Sequence, residues 1–484
     1  MNEEGTSLDQ ILAPQPLTLA EVRATKTSGA LVGAAVADAM GWITEFLRSR
    51  NNLAHLHGVD FIEDFVPWKK KTGGRFNTYI DYINPGEYSD DTQLSLCSAR
   101  AVTSRTQFDV QYFAKIELPL WLEYARGAGA TITAAARSLA KEGTRWNANF
   151  FKFKRGKHAY DYRDAGANGA AMRIAPVALA MADNLQALWV AVFENAITTH
   201  GHPRAILGAH LYASALAYLI RTENVDYDSF MRNMEEEIAA AEIPRGIPEI
   251  AEWIRIWNAA DGRDFDRQFR ITKEEVVSAL RLLQSVRNGE LEFKQFLSKA
   301  GCFDPKTKGS GIATAIAALG YFVKYGGNFR RLVIQAVNEI GTDTDTIGSM
   351  AAALGGAFGG IEVIPEVWAN KMQDFAYLMR VADALAEVSV GSPHYPSLTY
   401  KEEAGEKFPD IRQLVATHKA ARGKRVRHPL FGPGWVSDVN VQRINRRGGG
   451  EMMLATVGFD MGQSCMFKAY LPGKSKARPP VKHR

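Results

Sequence analysis

Two acidic knots, Ser89-Asp90-Asp91-Thr92 and Gly341-Thr342-Asp343-Thr344-Asp345-Thr346, lie about 250 residues apart, and each runs straight into an apolar, small-residue stretch with helical spacing. Carboxylates bunched beside hydroxyls at the mouth of a core helix are costly to desolvate unless a cation or a hydrogen-bond network neutralises them. Asp343 and Asp345 are two positions apart and on a continuous helix would point to nearly opposite faces. Only a loop or a helix N-terminus lets both aim at one ion, and the exposed N–H groups there also favour anionic side chains. The adjacent pair Asp90 and Asp91 meets the same constraint. All these donors are oxygens with no His or Cys interleaved, which selects Mg²⁺, Mn²⁺ or Ca²⁺ and argues against zinc. The competing reading is N-capping, since Ser, Thr and Asp are the usual caps. Two clusters joined by a third acidic element favour the metal.

That third element is near the N-terminus. Small residues at Gly29, Gly33, Ala37 and Gly41 recur every fourth position, which predicts a helix along which another helix can pack at close range. Asp38 and Glu45 lie at or beyond its end. Asp38 reads equally as a buried, hydrogen-bonded carboxylate and as a site group; Glu45 reads as a site group or as a solvated residue past the helix. Two further stretches are rich in polar and small residues. Gly166 to Arg173 has the composition of a loop whose backbone comes close to a ligand, or of a tight interhelical turn. Thr198 to Pro203 holds His200 and His202.

These blocks in their order resemble the ADP-ribosylglycohydrolase family over roughly residues 25 to 390: Gly29 to Gly33, Asp38 to Gly41 with Glu45 and Phe46, Ser89 to Thr92, Asn168 to Arg173, Thr199 to Pro203, and Asp343 to Thr346. The resemblance implies a compact all-α enzyme with two divalent cations, Mg²⁺ or Mn²⁺, at the base of a cleft for ADP-ribose. Carried over position by position, it makes Ser89, Asp90, Asp91, Asp343, Asp345 and Thr346 the metal ligands, with Glu45 at the metal edge as a ligand or a proton carrier. Ser89 stands where the family more often has Thr and keeps the hydroxyl. On the substrate side the resemblance implies a diphosphate and ribose loop of Asn168, Gly169, Ala170, Met172 and Arg173. It also implies an adenine-stacking aromatic shortly before that loop, Tyr160 or Tyr162, and His200 facing the ADP-ribose. Surface tyrosines and a locally bonded histidine are the plain alternatives, and His202 has no assignment.

The chemistry that suits these parts is cleavage of an N- or O-glycosidic bond at the anomeric carbon of the ribose distal to adenine. Oxocarbenium character builds as the leaving group departs, so the ribose must be oriented and a nucleophile supplied. Glu45, Asp90 and Asp91 are the groups for the proton transfers. The function expected is hydrolysis of the bond between ADP-ribose and an acceptor, whether a protein side chain such as arginine, a nucleic acid or a small conjugate. An inactive ADP-ribose sensor and a hydrolase of another phosphoester are the alternatives; two intact acid clusters favour the first reading.

Positioning falls to helices. Apolar residues at spacings of three and four predict helices over 205–220, 274–286, 312–325, 329–338 and 346–358, with residues 222–300 adding helices at the edge of the core. At 484 residues, 46% hydrophobic and 23% charged, the chain is long for one domain, so a main domain with an appendage is expected. The boundaries expected are an extension at 1–24, a catalytic domain at 25–400, a small basic β-barrel at 420–475 and a basic tail at 476–484. The acidic N-terminus lacks the apolar run of a signal peptide, no run of about 18 apolar residues suggests a membrane span, and Cys97, Cys302 and Cys465 are too scattered for a disulfide framework. A cytoplasmic protein is expected.

From Lys419 onward, 14 Lys and Arg stand against 3 Asp and Glu, a net of +11, which against the whole-chain +5 leaves about −6 on residues 1–418. Within this tail, 428–439 and 453–470 alternate as strands around an Asn445 to Gly450 turn. The opening His428-Pro429, Phe431-Gly432 and Gly434 resembles the Tudor-like barrel of UvrD-type helicases, which implies an SH3/Tudor-like fold and contact with RNA polymerase. The surplus charge alternatively implies nucleic-acid binding or a solvated surface.

Overall fold

The protein is described by a computed structural model covering residues 17–73, 78–392, 397–401, 407–444 and 449–472. Its first helix, α1 (Leu19–Gly41), starts at a capping box: the Thr18 hydroxyl accepts from the Glu21 N–H at 3.3 Å and the Glu21 carboxylate accepts from the Thr18 N–H at 2.7 Å. The small residues of α1 then meet the long helix that follows the second acidic knot, Thr344–Gly359. A methyl group added at Gly29 would lie 2.5 Å from the Gly356 carbonyl oxygen, at Gly33 2.9 Å from that of Ala352, and at Gly41 2.6 Å from that of Thr344. Backbone therefore packs on backbone along the whole stripe, as the four-residue spacing predicts.

The other helices wrap this pair. Asp90–Arg100 is α2, Pro203–Arg221 α3 and Gly311–Tyr325 α4, so that Thr344–Gly359 is α5. Four of the five expected helices form within two residues of their predicted ends, while the one expected over 274–286 starts nine residues earlier, at Phe265; α3, α4 and α5 are apolar nearly all round, which is why they are buried. Residues 222–300 form four more helices, Tyr227–Ala240, Pro248–Asn258, Phe265–Arg287 and Phe293–Lys299, each burying one stripe. The helical part is not purely helical. Among the described residues it also carries three two-stranded antiparallel hairpins: β1 (Trp68–Thr72) with β2 (Tyr79–Ile83), Val102–Ser104 with Gln107–Phe108, and Lys152–Arg155 with His158–Asp161. Strands of two to five residues are too short for alternation to separate from helical spacing, so the sequence concealed them.

The C-terminal segment, expected as a small barrel, is a curled four-stranded antiparallel sheet that stays open among the described residues. It consists of β3 (Arg425–His428), β4 (Gly432–Arg443), β5 (Gly450–Phe459) and β6 (Ser464–Pro472), in the order β6-β5-β4-β3. A register shift between Val436 and Asp438 bends β4. One face is welded to the helices: Val426, Phe431, Val457, Phe459 and Phe467 belong to the same apolar core as α1 and α2. A fully buried ion pair, Arg100 with Glu117 at 2.8 Å, gets its remaining partners from Gln463 of the sheet (2.8 Å) and Tyr377 (3.2 Å). The first residues of the expected N-terminal extension, the tip of the expected 445–450 turn and the 476–484 tail lie outside the described residues, and no helix among those described is long and apolar enough to cross a membrane.

The α1–α5 contact yields a stability test. Gly29→Val places carbon atoms inside the van der Waals radius of backbone that cannot move aside, and is expected to cost about 3 kcal/mol or more in urea unfolding. Gly246→Ala, where an added methyl meets nothing within 4 Å, is expected to leave the midpoint unchanged. Wild-type stability in the Gly29→Val variant would show that the two helices are free to separate.

Candidate active site

Six carboxylates meet where α1, α2 and α5 converge: Asp38, Glu45, Asp90, Asp91, Asp343 and Asp345. The Gly41–Thr344 approach places Glu45, four residues on, beside Asp343 and Asp345, so that one oxygen of each lies within 4.8 Å of the others. This corner is pinned by hydroxyls. Thr344 donates to the Gly41 carbonyl (3.0 Å), Thr44 donates to the Val337 carbonyl (2.7 Å), and the two side chains lie 2.9 Å apart.

Asp38 ties the first acidic knot to α1. Fully buried, its carboxylate accepts from the Ser89 N–H (3.2 Å), the Thr92 N–H (3.0 Å) and the Thr92 hydroxyl (2.6 Å). It thus reinforces the first turn of α2 beside the Ser89 cap, as the bonded, buried carboxylate that one of its two readings expected. Ser89 is the N-cap of α2, its Oγ accepting from the Asp91 N–H at 3.3 Å. Asp343 occupies the corresponding position before α5, yet its side chain makes no capping bond; it accepts instead from the Asn168 amide at 2.8 Å. Asp345 accepts from the Thr346 N–H at 2.8 Å.

Like charges this close cannot all persist without a counter-charge. Burial, with Asp38 next to it, pushes the Asp90 carboxyl up to about 7. Burial first, then Asp345 and Asp343, raises Glu45 well above the carboxylate range, and Asp91 and Asp345 are raised by burial and by their acidic neighbours. Asp91 Oδ1 is buried with no hydrogen-bond partner at all. An all-oxygen donor set, an orphaned carboxylate oxygen and a shortage of positive charge together fit a hard divalent cation.

The loop of Asn168–Ala170 closes a second side of the site. Its Asn168 amide bridges Asp343 and the Thr314 hydroxyl of α4 (3.1 Å). Gly169 packs so tightly that an added methyl would lie 2.8 Å from His200 Cε1 and 2.6 Å from Ile132. Ala170 and Met172 are buried scaffold, the Met172 carbonyl accepting from Ser95. Arg173 is fully buried and directs its donors to protein: to the Gly169 carbonyl (2.9 Å), the Asn195 side chain and carbonyl (2.9 and 2.7 Å) and the Thr199 hydroxyl (2.9 Å). Its place is behind the loop, holding it to the His200 segment.

His200 is buried, pairs through Nδ1 with Thr199 at 2.7 Å, and is driven down to about 3 by burial and by Arg173, so the ring is neutral. His202, unassigned from sequence, caps α3 by accepting from the Arg204 N–H (3.1 Å). Of the two tyrosines, Tyr162 is core, donating to the Ile197 carbonyl and accepting from Trp253 (3.0 Å), whereas Tyr160 stands part-exposed on the 152–161 hairpin, stacked on Phe153.

Sequence reasoning missed two neighbours of the carboxylates. Lys70 on β1 lies 4.6 Å above both the Trp42 and Phe46 rings and is the cation that lowers Glu45 and Asp90 against the burial trend. In the sequence it sits in Lys69-Lys70-Lys71, which reads as a solvated run. The turn at Gly127 presses against Asp90, where an added methyl would be 2.6 Å from Oδ1. Its signal was present in Gly127-Ala128-Gly129, a glycine-rich step before a helix.

Comparison with known proteins places this arrangement. The ADP-ribosylglycohydrolase family model matches residues 20–394. The chain is 25% identical over 345 residues to an ADP-ribosyl-[dinitrogen reductase] glycohydrolase of Rhodospirillum rubrum, covering 71% of this chain and 89% of that protein. It is 24% identical over 369 residues to the ADP-ribosylarginine hydrolase Tri1 of Pseudomonas putida, covering 74% and 77%, and 25% identical over 374 residues to the human ADP-ribosylhydrolase ARH3, covering 74% and 92%. With three quarters of its length accounted for in this way, the chain belongs to the ADP-ribosylglycohydrolase family and is a hydrolase of glycosidic bonds.

Proposed function

We propose that the enzyme cleaves the bond between ADP-ribose and an acceptor, and that two divalent cations, Mg²⁺ or Mn²⁺, are held by Ser89, Asp90, Asp91, Asp343, Asp345 and Thr346 with Glu45 at their edge. The observation that carries this reading is the buried, partnerless oxygen of Asp91 amid five other carboxylates. When bound, such cations grip vicinal ribose hydroxyls and acidify a water. The chain's own groups do the rest. Asn168, locked to Asp343, orients the ribose side; the neutral His200 offers a hydrogen bond without charge; Glu45, raised above the carboxylate range by burial and then by Asp345 and Asp343, suits a proton carrier. The acceptor is a protein side chain, a nucleic acid or a small conjugate, and the activity named for the P. putida relative makes ADP-ribosyl-arginine the first to test.

On the C-terminal sheet, His428 and Phe431, which carry the Tudor-like resemblance, stack on each other and point into the core, His428 reaching Glu123 at 3.0 Å. Among the described residues, the half-exposed Trp435 lies under Arg425, which also pairs with Asp460, with Arg427 exposed on the neighbouring strand and Lys424 exposed just before it. A basic face with an open aromatic suits single-stranded nucleic acid. Its binding is expected to weaken steeply between 50 and 200 mM salt and to fall about tenfold or more in Trp435→Ala; no binding at low salt removes this partner.

The test of the reaction runs ADP-ribosyl-arginine, ADP-ribosyl-serine and ADP-ribosylated DNA in parallel, with and without EDTA. Turnover is expected to stop with chelator and return with Mg²⁺ or Mn²⁺, and Asp345→Ala to lower it by about a hundredfold or more with little change in Tm. Full turnover of exhaustively chelated enzyme overturns the proposal.

The carboxylates also predict a pH signature. Between 3.8 and about 7 the cation-free folded protein keeps the Asp90 proton that the unfolded chain has already released. This group's stabilising contribution is therefore complete below pH 3.8 and is lost as pH rises through about 7. Added Mn²⁺ is expected to raise Tm more at about pH 8 than at about pH 5.5, because proton and cation compete for the same oxygens. A Tm increment independent of pH would place the cation elsewhere.

A further inference from the structure

The C-terminal sheet begins beyond residue 394, where the family model ends, and its polar contacts lead toward the carboxylates. Lys468 of β6 donates to the Ala125 carbonyl at 2.5 Å. The next residue, Arg126, is buried and clasps the β1–β2 hairpin: it reaches Asp81 at 3.1 and 2.8 Å, the Tyr82 carbonyl at 3.2 Å and Glu87 at 2.8 Å. The residue after that is Gly127, at φ +90°, whose backbone lies against Asp90 and Trp42. A second strap comes from β4. The Gln442 side chain accepts from the Ile80 N–H (2.8 Å) and donates to the Ile80 carbonyl (2.7 Å), pairing with β2 as another strand would. Ile80 neighbours Asp81, and Asp81 pairs in register with Lys70 across the hairpin. A separate apolar patch of Tyr79, Leu454 and Met466 seals the same interface.

We propose that the C-terminal sheet is a positioning element of the active site: Lys468 fixes the 125–129 turn against Asp90, and Gln442 fixes the hairpin that carries Lys70 over Trp42 and Phe46. The inference rests on the reading of Asp90 as part of the site, but its structural half does not. An ammonium that bonds a turn carbonyl inside the protein loses water it can regain only by releasing the turn, so the contact resists opening. Gly127, at φ +90°, adds no side chain to the turn, whose other ties run through Arg126, its N–H donating to Gln93 of α2 at 3.2 Å. Displacing that turn uncovers Asp90 on one side while leaving the Asn168 loop, held by Arg173, untouched.

The experiment uses the full chain with Lys468→Met, Lys468→Arg and Gln442→Leu, and reads amide hydrogen exchange, Mn²⁺ affinity and steady-state kinetics on ADP-ribosyl-arginine. Lys468→Met is expected to speed exchange at residues 125–130 about tenfold, to weaken Mn²⁺ binding by about the same factor and to lower kcat with little change in KM, the factor matching one charge-assisted hydrogen bond. Lys468→Arg keeps a donor for the Ala125 carbonyl and is expected to behave as wild type; Gln442→Leu is expected to speed exchange at the described residues of the hairpin. Unchanged exchange in the turn, or wild-type Mn²⁺ affinity and kcat in Lys468→Met, overturns the proposal. A wild-type protein that neither binds Mn²⁺ nor turns over would sink the reading of the site instead, and the exchange at residues 125–130 would still decide whether the sheet holds the turn.

Discussion

The backbone of α1 touches the backbone of α5, and the geometry of the site descends from that contact. With glycine at 29, 33 and 41, the helix axes come closer than any pair carrying side chains there could. At Gly41 the approach is to Thr344 and Asp345 themselves, so the last turn of one helix and the first turn of the other share a corner. The chain leaving α1 at that corner delivers Glu45, and the chain entering α5 delivers Asp343. Larger residues on the stripe would move two sets of carboxylates apart before changing any of them.

The site works against folding. Six acid groups in a few turns of helix give the protein strong repulsion in exchange for chemistry, and the surrounding structure absorbs it in graded ways. Asp38 is saturated by two N–H groups and a hydroxyl, and serves as the strap between α1 and α2. Asp343 accepts from the Asn168 amide and Asp345 from the Thr346 N–H, while Asp91 keeps a buried oxygen with no hydrogen-bond partner. Satisfaction is thus complete at Asp38 and incomplete at Asp91.

How much of this could be read beforehand depends on range. The stripe Gly29, Gly33, Ala37 and Gly41 is a local pattern with one physical meaning, and it pointed to a close helix pair. The knots at Asp90 and Asp343 were legible because hydroxyls and carboxylates before an apolar helix are unusual at any distance. Arg173 was harder: a motif arginine next to a glycine loop reads as a ligand contact, and only the three-dimensional path of residues 195–199 shows its bonds going to protein. Lys70 was invisible, since a lysine triplet looks solvated and its two aromatic seats, Trp42 and Phe46, lie on another element. The same holds for the sheet. Alternation announced its strands, but its inward face, Phe431 and Phe459 against Tyr124 and the α2 core, depends on contacts across more than 300 residues.

The Arg100 guanidinium lies 363 residues from the Gln463 side chain that completes its bonding. At cellular rates of about 5–20 residues per second, the time between making one and making the other is on the order of 20–70 s. Throughout that interval the nascent helical part holds the apolar ledge around Tyr124 open to solvent, along with a charged pair whose last acceptor has not been synthesised. A chain built in this order completes that part of its interior only once Gln463 has emerged, so its exposure to holdase chaperones and proteases is set by translation speed between the two residues.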